Sequence, residues 1–157
     1  MDYIIRKIVK EEYHLLEDFL YEAIFVPEGM AAPSRSIVGQ PELQVYLIDF
    51  GKKKDDIGLA AEVDTKVVGA VWVRIMNDYG HVNDATPSFA ISLFKEYRGL
   101  GIGTALMKEM LRVLKQRGYK QTSLAVQKAN YAVKLYKKVG FEIADENEEE
   151  YIMVCNL

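Results

Sequence analysis

The stretch Arg98-Gly99-Leu100-Gly101-Ile102-Gly103-Thr104 decides the fold, because it joins a predicted strand to a predicted helix. Residues 88 to 94 carry a bulky apolar side chain at every second position, which predicts the strand. Residues 104 to 117 place leucine and methionine on one stripe and charged residues opposite, which predicts an amphipathic helix. Three alternate glycines allow a tight turn and leave peptide N–H groups open to a ligand. The sequence therefore predicts a glycine-rich turn at a helix N-terminus.

This glycine loop, residues 98 to 104, is suited to an anionic ligand. The first turn of a helix has unpaired N–H donors and the positive end of the helix dipole, which favour a diphosphate. A dinucleotide-binding fingerprint would need glycine where Thr104 stands, and a P-loop would need Gly-Lys-Ser or Gly-Lys-Thr, which the chain lacks. Those two phosphate-binding classes are excluded. The alternative that the glycines only make a tight strand-to-helix turn stays open at this point.

Outward from the glycine loop, periodicity predicts strands and helices along the chain. The predicted strands cover residues 3–9, 57–63, 67–76, 88–94, 122–126, 141–144 and 151–155. The predicted helices cover residues 11–25, 41 to about 51, 104–117 and 130–138. Neither a linker nor an internal repeat interrupts this order. We therefore expect one α/β (α+β) domain over residues 1–157, with a single mixed β-sheet of about six to seven strands flanked by four helices.

Composition and charge exclude several classes of protein. The 157 residues include 20 Lys and Arg against 23 Asp and Glu, so the basic surplus of a nucleic-acid binder is missing. No apolar stretch approaches the roughly 20 residues that cross a bilayer, and two histidines without neighbouring ligands predict no metal site. The opening residues lack the pattern of a secretory signal, so a cytoplasmic protein is expected. The single cysteine, Cys155, is expected to be a buried apolar residue and not a nucleophile.

Two motifs resemble those of the Gcn5-related N-acetyltransferase (GNAT) family. The family's pyrophosphate loop, Arg/Gln-x-x-Gly-x-Gly/Ala, is matched by Arg98, Gly101 and Gly103. The run from Asn130 to Phe141 is similar to a later helix of the family, in which asparagine opens the helix and Leu-Tyr precedes Gly-Phe. The resemblance is clear from about residue 67 to the end of that run. It is weak in residues 11–51, where the acceptor sites of the family differ.

The resemblance implies the GNAT-like acyl-CoA N-acyltransferase fold and acetyl-CoA as the acetyl donor. It places the donor in a cleft where the strand ending at Leu93 splays from the strand ending near Val126. Arg98 would stand at the start of the pyrophosphate loop, and Asn130 would lie near the pantetheine. Main-chain groups for the pantetheine arm and the thioester would come from Ile91, Ser92 and Leu93. The amides for the pyrophosphate would come from Gly99, Leu100, Gly101, Ile102, Gly103 and Thr104.

The resemblance also implies a reaction in which a neutral amine attacks the thioester directly and coenzyme A leaves as a thiolate. Tyr136 matches the usual acid of the family, and a tyrosine with a pKa near 10 can serve as donor to a thiolate of pKa around 8 to 9. Without the motif, the same tyrosine would be interpreted as core filling on an amphipathic helix. The acceptor would be a primary amine of a small molecule or a peptide.

No single carboxylate stands out in the sequence as the general base. Candidates that could border the acceptor side are Glu22, Glu28, Asp78, His81 and Asp84, and each also fits an ordinary solvated charge. The acidic turn at residues 145–150 is interpreted as a solvated hairpin end. We expect residues 11–51 and 77–87 to form the acceptor pocket, because loops beside a fixed sheet carry specificity.

Two other functions stay open at the level of sequence. The chain could be a non-catalytic acetyl-CoA-binding sensor or regulatory module, although Tyr136 beside an intact loop favours the enzyme. It could also be a structural domain with an accidental glycine turn, which would make both motifs coincidences. No nucleic acid or membrane partner is expected. The exposed edge of a final strand could pair with a second copy to form a homodimer.

Overall fold

Seven strands form one mixed sheet in the computed structural model, which describes residues 2–157. In chain order the strands are β1 (Ile4–Lys7), β2 (Ile57–Val63), β3 (Lys66–Arg74), β4 (Ser88–Leu93), β5 (Gln121–Gln127), β6 (Glu142–Glu146) and β7 (Glu150–Asn156). Across the sheet they run β1-β2-β3-β4-β5-β7-β6, and every neighbouring pair is antiparallel except β4 and β5. The predicted fold class with a single mixed sheet is confirmed.

Four α-helices accompany this sheet within the described residues: α1 (Leu15–Ala23), α2 (Pro41–Gln44), α3 (Ile102–Gln116) and α4 (Ala132–Val139). Their number agrees with the prediction. Helix α3 begins two residues earlier than the apolar periodicity indicates, so the glycine loop supplies its first turn. None of the helices within residues 2–157 is long and apolar enough to span a bilayer.

The two helices predicted before the glycine loop are shorter in the structure than the sequence pattern indicates. The first is preceded by a separate 3-10 turn at Lys10–Glu12. In the second, the buried guanidinium of Arg74 donates to the carbonyl of Val45 at 3.1 Å and to that of Ile48 at 2.8 Å. Asp49 then adopts a φ of 55°. A distant side chain and a left-handed residue thus hold the chain beyond α2 in turns, and the predicted helix does not continue to residue 51.

The position of the final strand corrects one expectation. β7 lies between β5 and β6, so it is an interior strand and the predicted exposed edge at the end of the chain is wrong. The sheet edges are β1 and β6, and all five residues of β6 are exposed. The order follows from side-chain character, because β7 carries the buried Met153 and Cys155 whereas β6 is largely acidic. Burial of Cys155, at 5% exposure, confirms the prediction for that residue.

The sheet buries apolar side chains on both faces. One face packs against α3, whose leucine and methionine stripe is fully buried, and the other packs against α1. Strand β3 supplies Val71 and Val73 to the α3 face and Ala70 and Trp72 to the α1 face. All four are inaccessible to solvent, which confirms that β3 is a central, covered strand.

β4 and β5 meet at one point only. Ser88 lies opposite Ser123, and this is the sole register pair of the parallel ladder in the described chain. The two serine hydroxyls are 3.4 Å apart, and Ser123 also donates to the carbonyl of Gly80 at 2.7 Å. Beyond this point no ladder joins the two strands, so a gap opens in the middle of the sheet.

Candidate functional site

The glycine loop presents open backbone at the start of α3. Gly99 and Gly101 have φ values of 74° and 87°, and a Cβ at either position would meet nothing within 4 Å. Their φ values favour glycine, and the space beside them is free. The first intrahelical hydrogen bond runs from the amide of Ala105 to the carbonyl of Gly101 at 3.1 Å. The amides of residues 102–104 therefore precede the helical ladder and are suited to bind an anion at the positive end of α3.

Arg98 fastens the beginning of this loop to two other elements. Its Nε donates to the carbonyl of Leu93 at 3.0 Å. Its Nη2 donates to the carbonyl of Glu22 at 3.3 Å and to the carboxylate of the same residue at 3.2 Å. The end of β4, the loop and the end of α1 are thus held together by one guanidinium. Glu22, a candidate base in the sequence, is ion-paired in the structure.

The edge of β4 that faces the gap carries main-chain groups without a ladder partner. Phe94 donates its amide to the carbonyl of Val68 at 3.0 Å, which sets the phase of hydrogen bonding between β4 and β3. Because antiparallel strands alternate between bonded and non-bonded pairs, Ile91 and Leu93 direct their main-chain groups toward β5. By the same alternation Ser92 faces β3, and its hydroxyl donates to the carbonyl of Phe19 in α1 at 2.6 Å.

The hydrogen bond by which Ser92 holds α1 against β4 can be tested with Ser92→Ala. Loss of this buried hydrogen bond is expected to lower the free energy of unfolding by about 0.5 to 1.5 kcal/mol. Affinity for acetyl-CoA should stay within a factor of about two, because the substitution leaves the main chain unchanged. Urea denaturation and calorimetry measure the two quantities, and Ser36→Ala, at an exposed serine, serves as the control. Weaker binding at unchanged stability would instead place the hydroxyl in the binding site.

Two cavities meet at the gap between β4 and β5. The outer groove, of about 660 Å³, is lined by residues 21–30, 32–33, 91–93, 95, 98, 130–132 and 136. The inner pocket, of about 280 Å³, is lined by residues 20, 23–25, 43, 46, 89–91, 124–127, 130, 136 and 150. The residues common to both are Ala23, Ile24, Phe25, Ile91, Asn130 and Tyr136. The outer groove thus includes Arg98, the first residue of the glycine loop, and adjoins the smaller inner pocket at the gap.

Tyr136 lies at the junction of the outer groove and the inner pocket. It stands on α4, and its ring packs edge-on against Phe141 with 6.1 Å between the ring centroids. Burial raises the pKa of Tyr136 to about 12. Among the described residues no group hydrogen-bonds its hydroxyl. The phenol therefore keeps its proton at neutral pH and can direct it into the cavity.

Asn130 begins the helix that carries this tyrosine. Its Oδ1 accepts a hydrogen bond from the amide of Ala132 at 2.9 Å, and its carbonyl accepts from the amide of Val133 at 3.1 Å. The residue satisfies two amides of the first turn of α4, as expected of a side chain at a helix start. Because Asn130 also lines both cavities, its side chain orients α4 at the place where a ligand would pass.

Comparison with known families identifies the protein family in which this site occurs. The family model described as the acetyltransferase (GNAT) family matches residues 20–141. The chain belongs to the GNAT family. The match includes the glycine loop, the gap between β4 and β5, and α4, so the GNAT resemblance of the two sequence motifs is confirmed.

Relatives and solved structures of this GNAT protein agree in fold and activity class. An N-alpha-acetyltransferase of Sulfurisphaera tokodaii is 28% identical over 71% of this chain and 76% of its own length. The ribosomal protein bS18-alanine N-acetyltransferase of Haemophilus influenzae is 33% identical over 45% of this chain and 48% of its own length. The crystal structure of PaiA N-acetyltransferase from Thermoplasma acidophilum in complex with coenzyme A superposes with a TM-score of 0.74 at 20% identity, covering both chains fully.

The bases predicted from the sequence of this GNAT chain differ from one another in location and in hydrogen-bond partners. Glu28 lines the outer groove, whereas Asp78, His81 and Asp84 line neither cavity. His81 and Asp84 lie 3.3 Å apart in a loop, and the Asp84 side chain is 98% exposed. Asp78 is buried, which raises its pKa, and it accepts hydrogen bonds from Tyr46 and Ser88. Of these candidates only Glu28 lines a cavity without a protein partner in the described residues, and none of them lines the inner pocket.

The structure adds two residues that the sequence interpretation did not place in the site. Tyr46 lines the inner pocket and donates its hydroxyl to Asp78 at 2.9 Å. Glu150 also lines this pocket, so its assignment to a solvated hairpin end was wrong. It starts β7 opposite Gln127, and strand alternation places it on the same face as the buried Ile152. Extending the period of two by one residue would have indicated this orientation.

Metal chemistry has no side-chain cluster to support it in the described part of the GNAT chain. Within residues 2–157, no three His, Cys, Asp or Glu side chains are grouped so that they could hold a metal ion. The charged and polar groups at the gap are isolated side chains and main-chain groups, and they do not form a cluster of metal ligands.

Proposed function

We propose that this GNAT chain, as one N-acetyltransferase domain, transfers the acetyl group of acetyl-CoA to a primary amine of a small molecule or a peptide. One observation carries the proposal. The unpaired hydroxyl of Tyr136 lies where a groove lined by Arg98, the first residue of the glycine loop, opens into a separate pocket. A two-chamber site of this kind suits a long anionic donor on one side and an amine on the other.

The donor's diphosphate would bind the amides of residues 99–104 at the N-terminus of α3, where the dipole favours negative charge. The main-chain groups of Ile91 and Leu93 would hold the pantetheine arm as an added strand in the gap, and Asn130 would contact it from α4. Ser92 lines the groove and keeps α1 against β4. Support comes from two similar folds that hold the donor or its product: the coenzyme A complex described above and a putative streptothricin acetyltransferase of Bacillus anthracis with acetyl coenzyme A, with a TM-score of 0.71 and 18% identity.

In the reaction, the nitrogen lone pair of the neutral amine forms a bond to the thioester carbonyl carbon, and the carbonyl oxygen takes up negative charge. Main-chain N–H groups along the gap edge of β4 are the fixed dipoles that stabilise this charge. Collapse of the intermediate breaks the C–S bond and leaves an amide and a thiolate. The amine nitrogen gives up one proton, and the thiolate gains one.

Tyr136 is the proton donor that faces the leaving sulfur in this proposal. With its pKa raised to about 12 by burial, the tyrosine is a weaker acid than a free thiol of pKa about 8.5. Its hydroxyl therefore stabilises the departing sulfur by a hydrogen bond while negative charge develops, and the proton reaches sulfur with help from solvent in the open groove. This role requires a hydroxyl that no protein group already occupies.

The proposal is tested by measuring release of free coenzyme A thiol from acetyl-CoA in the presence of a panel of amines. The panel includes alkylamines, amino acids, aminoglycosides and short peptides with a free N-terminus or lysine, because the relatives named above include an N-alpha-acetyltransferase and a ribosomal protein bS18-alanine N-acetyltransferase. We expect amine-dependent release with at least one class, and mass spectrometry of the product should show one added acetyl group. Tight binding of acetyl-CoA with no thiol release across the panel would support the sensor function instead.

A further inference from the structure

We propose that Glu150 is the general base of this site and that the inner pocket binds a primary alkylammonium group against its carboxylate. The inference rests on the proposed acetyl transfer and names the acceptor class for it. Glu150 is the only charged residue among the described residues that line the inner pocket. The rest of the lining consists of apolar side chains, two tyrosines, an asparagine and a glutamine.

The carboxylate of Glu150 is free to receive a substrate proton. The main-chain amide of Glu150 donates a hydrogen bond to Asn147 Oδ1 at 2.7 Å within the hairpin turn, so this amide is not available to a ligand in the pocket. No protein group in the described residues hydrogen-bonds or pairs with its side-chain oxygens. By contrast, Asp78 already accepts from Tyr46 and Ser88, and Glu22 is held by Arg98. An incoming ammonium would therefore find one open carboxylate in the pocket.

The surroundings of Glu150 favour uptake of a proton. Burial raises its pKa, and the negative charges of Glu149 and Asp78 raise it further. The other ionisable groups near it are the phenols of Tyr46, Tyr79 and Tyr136. Burial raises the pKa of all three, and the charge of Glu150 raises those of Tyr46 and Tyr79 further.

The cation that follows Gln127, the residue opposite Glu150, is engaged elsewhere. Lys128 pairs with Glu146 at 2.9 Å and lies over the ring of Tyr151. A carboxylate with a raised pKa and no paired cation is a better base near neutral pH than an ordinary surface glutamate.

The apolar lining explains why the pocket selects an alkylammonium group. Leu20, Ile24 and Phe25 approach from the α1 side, and Phe89 and Leu124 from the strands. An alkyl chain can pack against these side chains while its ammonium group reaches the single carboxylate. An acidic or zwitterionic acceptor would bring a second negative charge toward Glu150, which costs free energy in a partly buried site.

Proton transfer balances with the acetyl transfer. The ammonium N–H bond breaks and its proton bonds to a Glu150 oxygen, which leaves a neutral amine with a free lone pair. After this nitrogen has attacked the thioester, it loses a second proton, and the departing thiolate gains one. These two proton transfers cancel. Glu150 then returns its proton to solvent through the open groove, so one proton is released per turnover.

The test compares the parent with Glu150→Gln and uses Glu148→Gln as the matched control. Glu148 is an exposed residue of the same turn, so its variant removes the same charge outside the pocket. Butylamine is the probe, and its turnover with acetyl-CoA is followed from pH 6 to 10. Calorimetry measures butylammonium binding to the coenzyme A complex of each protein.

We expect Glu150→Gln to lower kcat/KM for butylamine by at least about 10²-fold at pH 7. The deficit should shrink toward pH 10, because an alkylamine of pKa about 10.4 then supplies its own neutral form. Butylammonium affinity should fall at least about tenfold in this variant, and Glu148→Gln should behave as the parent. A pH-independent deficit, or no deficit, would remove Glu150 as the base.

The binding measurement separates this inference from the proposed function. If no amine yields thiol with the parent, the acetyl transfer is wrong, yet butylammonium binding still reports on the pocket. Equal affinity in the parent and Glu150→Gln, or no affinity in the parent, overturns the alkylammonium site. If the parent acetylates only other amines and Glu150→Gln matches it at every pH, the proposed function stands and the role of Glu150 fails.

Discussion

Tyr136→Phe is expected to lower turnover by about 10²- to 10⁴-fold, the range typical of general acid catalysis, while the protein stays folded and binds acetyl-CoA as the parent does. The phenyl ring keeps its packing against Phe141, and only a hydroxyl without a protein partner is removed. Because burial raises the pKa of Tyr136 to about 12, the parent keeps this proton throughout the range from pH 7 to 10. The loss should therefore be nearly constant over that range. Steady-state kinetics with an accepted amine measures it.

The control for this substitution is Tyr119→Phe, which removes a hydroxyl that is bonded to Asp55 outside both cavities. It should leave turnover unchanged. A second readout is an acyl donor whose thiol has a lower pKa, because a better leaving group needs the hydroxyl less and should reduce the effect of Tyr136→Phe. Parental turnover in Tyr136→Phe would return the tyrosine to a packing role and leave solvent as the proton source.

Gly101→Asp is expected to weaken binding of acetyl-CoA by at least about tenfold. Gly101 has a φ of 87°, and a residue with a Cβ pays about 1–2 kcal/mol in this left-handed conformation. The carboxylate also brings a negative charge to the helix end where the diphosphate would lie. Tenfold weaker binding corresponds to about 1.4 kcal/mol, which the charge repulsion alone can supply. Isothermal calorimetry with acetyl-CoA measures the change.

Gly118→Asp provides a matched control at the other end of the same helix. Gly118 has a φ of 89° and free space around its Cα, so the substitution introduces the same strain and charge away from the loop. It should lower thermal stability at least as much as Gly101→Asp, because a carboxylate is unfavourable at a helix C-terminus, and leave the affinity for acetyl-CoA unchanged. Gly101→Asn separates charge from strain, because asparagine tolerates this conformation better. Parental affinity in a folded Gly101→Asp protein would contradict the assignment of the loop.

The parts of the site that the sequence predicts are those built by neighbouring residues. The left-handed Gly101, the start of α3 and the asparagine that opens α4 each depend on a few adjacent positions, so a local motif is enough to recognise them. The central position of β3 was also predictable, since both of its faces are apolar. Tyr136 needed the motif as well, because its spacing on α4 alone does not distinguish a core residue from one at a cavity.

The remaining features depend on contacts between distant segments. The period of two indicates which face of β7 carries Glu150, but the inner pocket lies beside that face only because β7 pairs with β5, a strand more than twenty positions away. The residues that follow α2 form turns in which Arg74, nearly thirty positions away, takes two of the carbonyls. Arg98 ties itself to Glu22 across 76 positions of sequence. Such pairings are invisible to any window of a few residues.

The single contact between Ser88 and Ser123 divides the sheet into two half-sheets, one of β1 to β4 and the other of β5, β7 and β6. Helix α3 packs against the first half-sheet and touches α4, so this helix contact adds to the narrow meeting of β4 and β5 in joining the two halves. A ligand that fills the gap and hydrogen-bonds to both edges replaces the hydrogen bonds that a longer ladder between β4 and β5 would supply. At 100 times its Kd it adds about 2.7 kcal/mol to the free energy of unfolding. The stiffness of the sheet therefore depends on whether a ligand occupies the gap.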